Sequence, residues 1–75
     1  MAITIISFDE NIIFSTICKN SENISRIEKL LYKKYPDFSK TDNKFTIGGN
    51  VIDKYKTLEE NEIKDTDIIM IEPKY

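Results

Sequence analysis

Lys44 to Glu72 reads KFTIGGNVIDKYKTLEENEIKDTDIIMIE, and several structural signals follow one another closely in it. Phe45-Thr46-Ile47 has the β-branched and aromatic composition of a half-buried strand. Gly48-Gly49-Asn50 follows as a turn, because glycine takes positive φ at no steric cost, and Val51-Ile52 fits a short return strand. Thr57-Leu58-Glu59-Glu60 fits a capping box, in which Thr and Glu three apart trade bonds with each other's backbone amides and hold a single helical turn. Asp67 to Glu72 (DIIMIE) is a last strand, with Ile69 and Ile71 on one face and Ile68 and Met70 on the other.

Working back toward the N-terminus, Asp37 to Lys44 is polar apart from Phe38 and reads as a crossing loop. Before it, Ile24, Ile27 and Leu31 fall at i, i+3 and i+7 with Leu30 beside them, one stripe of an α-helix. Asn20-Ser21-Glu22-Asn23 offers its N-caps, and Pro36 disfavours helix at Tyr35, so the helix should stop near Lys34. Ala2 to Phe8 (AITIISF) is a first strand with Ile3 and Ile5 on one face. Asp9-Glu10-Asn11 is a turn cluster, and Ile12 to Lys19 (IIFSTICK) completes a hairpin. Two registers are open for that second strand. Either Ile12, Phe14, Thr16 and Cys18 point inward, or Ile13, Ser15 and Ile17 do; the first is preferred because it buries Phe14 and the thiol.

The bulk numbers bound the classes. Seventy-five residues hold one domain, since a second core would not fit. At 40% hydrophobic and 32% charged the balance is globular. A net charge of −2 with no long run of either sign argues against nucleic-acid or anionic-membrane partners. Cys18 is the lone cysteine, so no internal disulfide forms, and a reducing, cytoplasmic or nuclear setting is the simpler expectation. The N-terminus has no basic n-region or long apolar run of a signal peptide, and no stretch approaches the roughly 20 apolar residues that span a bilayer.

The element order is ββαβ, a short strand, a helical turn and a final strand, which is the β-grasp order, and the chain resembles the ubiquitin family. Phe45, Ile47, Gly49, Ile52, Thr57-Leu58, Ile63, Asp65-Thr66-Asp67, Ile69 and Ile71 carry the match, without gaps from Thr46 to Ile63. Ile24, Ile27 and Leu31 match the buried stripe of the family's single helix, and Ile3 and Ile5 its first strand. The resemblance covers essentially the whole chain, specific in the second half and generic in the first. It implies an α+β fold, a mixed sheet of four to five strands clasping one helix, with Leu58 and Ile63 plugging the open end of the core. The kind of relative implied is a divergent ubiquitin-like domain carried within a larger protist protein.

The departures bear on function. Conjugated relatives end in an exposed Gly-Gly tail, whereas this sequence ends Glu72-Pro73-Lys74-Tyr75; conjugation and sulfur carriage are therefore not expected. A modifier whose Gly-Gly tail lies beyond Tyr75 is the alternative. Asn50 stands where the family has its main chain-forming lysine, and Asp65 where it has another. The family's recognition patch, carried over by position, becomes Phe8, Thr46, Met70 and Glu72. Two of these four are polar, so ordinary ubiquitin-binding modules should bind poorly. Ile6 and Ile68, however, stand where ubiquitin is polar and neighbour Met70 on the outer sheet face. The expected protein-binding residues are accordingly Ile6, Phe8, Thr46, Gly49, Ile68 and Met70, an apolar surface of the kind that marks partner sites. The bland account is that Ile6 and Ile68 are β-formers on a half-wet sheet, or are covered by a neighbouring domain or a second copy.

No catalytic constellation is evident. Cys18 has no histidine to activate it and reads as a packed apolar residue. One Cys and no His make a zinc site improbable. Asp9-Glu10, Glu59-Glu60-Glu62 and Asp65-Asp67 sit in turns, where capping explains them. Gly48-Gly49 lacks the Lys-Ser/Thr of a phosphate loop, and Tyr32 and Tyr35 beside Lys33 and Lys34 form too small a cluster for nucleic acid. Small-GTPase binding, which uses basic residues on the first two strands, has only Lys19 there. The expectation is a monomeric, non-enzymatic interaction module without cofactor or metal, part of a larger protein, with a protein partner that the sequence does not identify; a component of the ubiquitin pathway or the proteasome is one class the resemblance allows.

Overall fold

In the computed structural model, residues 1–9 and 11–73 are described, with the side chain of Pro73 excepted. Glu10 of the first turn, and Lys74 and Tyr75, lie outside the described residues. Five strands form one sheet: β1 (Ala2–Ser7), β2 (Ile13–Ile17), β3 (Asn43–Ile47), β4 (Asn50–Val51) and β5 (Ile68–Pro73). Their spatial order is β2-β1-β5-β3-β4. β1 and β5 run parallel, and the other pairs are antiparallel. Together with the single helix α1 (Ile24–Lys34) this is an α+β, β-grasp arrangement.

Alternation along the strands supplies one layer of the core and the helix the other. Ile3, Ile5, Phe45, Ile69 and Ile71 point to the inner face, where Ile24, Ile27 and Leu31 of α1 complete a continuous buried cluster with Ile12, Cys18, Leu58 and Ile63. The first of the two β2 registers is the one adopted. Ile12 and Cys18 are buried and Phe14 packs against the core, while Ile13 and Ile17 are exposed.

Local chemistry sets the ends of α1. Asn23 caps its start, its side-chain oxygen accepting from Arg26 N–H at 3.1 Å. At its end the Tyr35 N–H donates to the Leu31 carbonyl at 2.9 Å, and Lys33 and Lys34 stand in the final turn, where positive charge is favourable to the helix dipole. Pro36 then opens a 3₁₀ helix, Pro36–Lys40. The polar stretch expected as a plain crossing loop is therefore partly ordered, and its end belongs to β3, which starts at Asn43 and pairs with Pro73. The return strand is Asn50–Val51, one residue earlier than Val51-Ile52, because the two glycines alone make the turn. Both have positive φ, +56° at Gly48 and +84° at Gly49, as a type I′ hairpin requires.

The segment after β4 is stitched to the start of α1. Ser25 N–H donates to Lys54 (2.8 Å), Leu58 N–H to Glu22 (2.8 Å) and Glu59 N–H to Asn20 (3.0 Å). The capping box is formed, with Thr57 N–H donating to Glu60 and Glu60 N–H to the Thr57 hydroxyl, each at 3.0 Å. It holds one turn, closed by Asn61 N–H to Thr57 C=O at 3.0 Å. That turn drives Leu58 into the core.

Candidate functional site: the outer face of the sheet

The sheet face opposite α1 carries the residues that alternation leaves outside. Its middle can be followed strand by strand in register. Ile13 of β2 pairs with Ile6 of β1, Ile6 with Met70 of β5, Met70 with Thr46 of β3, and Thr46 with Val51 of β4. One row thus crosses all five strands, and threonine is its only non-hydrophobic member. At ordinary strand spacing it is roughly 19 Å long. The next row holds Ser15, Thr4 and Ile68, and the one after it Ile17 and Ala2. Ile13 is 55% exposed, Ile17 85%, Val51 64% and Ile68 55%, whereas Ile6 and Met70 are half-buried between their neighbours.

On the other side of the row stand Lys44 and Glu72, cross-strand partners whose charges pair at 3.4 Å. They are the only outward-facing charges on the five strands among the described residues, and they neutralise one another. The face is thus apolar and uncharged overall, in a chain whose net charge is −2.

The expected binding residues fall within this geometry unequally. Ile6, Thr46, Ile68 and Met70 share the face, and three of them stand in one row. Thr46 is only 5% exposed, so it contributes spacing between Met70 and Val51 rather than surface. Phe8 follows β1 in the turn and is 84% exposed. Gly49 lies in the β3–β4 turn, where it fixes the hairpin that presents Val51. Ile13, Ile17 and Val51 join the surface without having been named for it. For the two isoleucines the adopted β2 register already implied an outward side chain. Their adjacency to Ile6 needed the strand pairing.

The other singled-out groups are structural. Cys18 is buried at the end of β2, and burial, then the charge of Glu22, pushes its thiol pKa upward, away from the reactive thiolate. Asp9 accepts from the Ser7 hydroxyl at 2.7 Å and from Asn11 N–H at 3.1 Å; these bonds hold its carboxyl below the usual range. Bonds from Thr57 do the same for Glu60. Asp65 accepts from Ala2 N–H at 2.7 Å and Asp67 from Lys64 N–H at 2.8 Å. Among the described residues no group of three metal-ligand side chains comes together, and no helix is long and apolar enough to cross a membrane. Comparison with protein-family models and with curated proteins finds none that matches this chain.

Proposed function

We propose that the chain is a ubiquitin-like protein-interaction module, without catalytic activity of its own, that docks a protein partner through the outer face of β1, β3 and β5. The observation that carries this is the apolar row Ile13, Ile6, Met70 and Val51 with Ile68 beside it, uncharged and, among the described residues, uncovered by any other element. Interface centres are depleted of charge in the same way. The family's own patch is kept here only as Met70 and Phe8, so the partner reads isoleucine-rich surface, and modules tuned to ubiquitin itself bind weakly. A ubiquitin-pathway or proteasome subunit is the partner class the resemblance suggests, in the reducing cytoplasm or nucleus that suits a lone Cys18.

The test is affinity capture with cross-linking from the native source, run side by side with wild type and with the Ile68→Asp, Met70→Asp double variant. The expected result is a partner held by the wild type and lost by the variant, with matching circular dichroism. Equal retention by a folded double variant rejects the outer face as the docking surface.

A further inference from the structure

The hydrogen-bonding direction of β2, the longer of the two sheet edges, can be assigned residue by residue. Ser7 N–H donates to Ile12 C=O at 3.1 Å and Cys18 N–H to Met1 C=O at 2.9 Å. Between these bonds the register runs without a bulge from Ile6–Ile13 to Ala2–Ile17. Ile12, Phe14, Thr16 and Cys18 therefore turn their backbone groups toward β1, and Ile13, Ser15 and Ile17 turn theirs to the open side. Among the described residues one bond reaches those outward groups, from the Tyr35 hydroxyl to Ile13 C=O at 3.3 Å. It leaves that carbonyl a second lone pair.

Exposed edges are usually blunted by a charge, a proline or a bulge. Ile13–Ile17 (IFSTI) has none of these. Its outward triplet, Ile13, Ser15 and Ile17, is the same from either end. We infer that β2 pairs antiparallel with β2 of a second copy of this chain, about a two-fold axis at Ser15, fusing two five-stranded sheets into one. Ser15 then faces Ser15, and Ile13 faces Ile17 on both sides of the axis, each pair exchanging two backbone bonds. On the outer face the isoleucines meet across the junction, so apolar surface runs from one sheet into the next.

The ends of the strand match as well. The same register brings Lys19, exposed and without an ion pair among the described residues, opposite Asn11 and beside Asp9 of the second copy. A strand whose outward triplet is symmetric and whose two ends are opposite in charge complements itself, which favours a second copy over an unrelated extended segment. Like-charged copies of −2 thus meet where opposite signs face each other. This edge adjoins the docking face and shares Ile13 with it, and the pairing departs from the monomer expected from the sequence.

The experiment is sedimentation equilibrium of the full chain from micromolar to millimolar concentration. The wild type should rise from 8.8 kDa toward twice that mass. Ser15→Pro removes an outward N–H without touching the ladder to β1, and Ile17→Lys places a charge opposite Ile13. Each should weaken the dimer by about tenfold or more, with circular dichroism reporting the fold. Should Ser15→Pro fail to fold, Ile17→Lys decides, alongside amide exchange at Ile13, Ser15 and Ile17, which should slow as wild-type concentration rises. A wild type that stays monomeric into the millimolar range overturns the proposal. So does association that Ile17→Lys leaves unchanged, or that Met70→Lys abolishes while Ser15→Pro does not, since those outcomes indicate assembly through another surface. None of these outcomes depends on whether a partner docks on the outer face.

Discussion

Truncating Leu58 to alanine tests whether an irregular segment is part of the core. Leu58 belongs to no strand or long helix, yet it is fully buried, and its N–H is bonded to Glu22 at 2.8 Å. The substitution removes Cγ and both Cδ carbons. At about 0.8 kcal/mol per buried carbon group, lost transfer energy is roughly 2.4 kcal/mol. A cavity the segment cannot collapse to fill adds up to about 2 kcal/mol. A domain of this size has roughly 4–11 kcal/mol in total, so the loss is a large part of it. At about 4–8 °C per kcal/mol the melting temperature should drop by at least ~10 °C. Urea titration gives the free-energy loss and a thermal scan the melting temperature, both followed by circular dichroism. Leu58→Met, which conserves volume, should cost under about 1.5 kcal/mol, and Leu30→Ala, at an exposed helix position, less than Leu58→Ala. A Leu58→Ala loss below about 1 kcal/mol would show that the 57–62 turn opens without disturbing the core, and would refute its role as a plug.

Two further perturbations read out separate features. Burial, partly offset by the bond from Asn43 and reinforced by Glu28, pushes the Tyr32 phenol up to about 12 from its ordinary 10.0. The unfolded chain therefore loses that proton first, and the stability it contributes is complete below pH 10.0 and lost as pH rises toward about 12. Tyr32→Phe should flatten that alkaline limb in urea melts taken across the range, and an unchanged limb would assign it to other groups. Gly49→Ala, at φ +84°, should cost about 1–2 kcal/mol although a Cβ there meets nothing within 4 Å, so the penalty is backbone strain alone. Gly48→Asn, at φ +56°, should cost much less in the same denaturation assay, because asparagine tolerates the left-handed region.

Strand spacing, helix stripe and capping box were legible because each is a local pattern with one physical meaning. The 3₁₀ helix was not. Pro36 to Lys40 carries one apolar residue, Phe38, too few to show a period, and its bonds, such as Phe38 N–H to Tyr35 C=O at 3.1 Å, depend on where the chain must turn. Asn43 is the sharper case. A polar residue in a polar run reads as loop, yet it is buried in β3 and donates to Tyr32 Oη and Phe38 C=O, each at 2.8 Å. The satisfying partners come from α1 and the 3₁₀ helix, which no local pattern reveals. The candidate site was legible in composition and not in extent. Ile6, Ile68 and Met70 stood out on their own strands, but the row through Ile13 and Val51 exists only once β5 is inserted between β1 and β3.

That insertion also orders events in time. The strand at the centre of the sheet is the last one synthesised. Before Ile68 to Pro73 leave the ribosome, the strand that joins β1 to β3 is missing, and the remaining pairings are those of two separate hairpins, β1–β2 and β3–β4. Neither hairpin has the three strands that independent stability requires. The sheet therefore closes in one late step that brings the first and last strands together over most of the chain's length, a non-local contact that slows folding. Until that step β1 and β3 both lack the neighbour that covers their inner edges, the condition in which extended segments pair with one another.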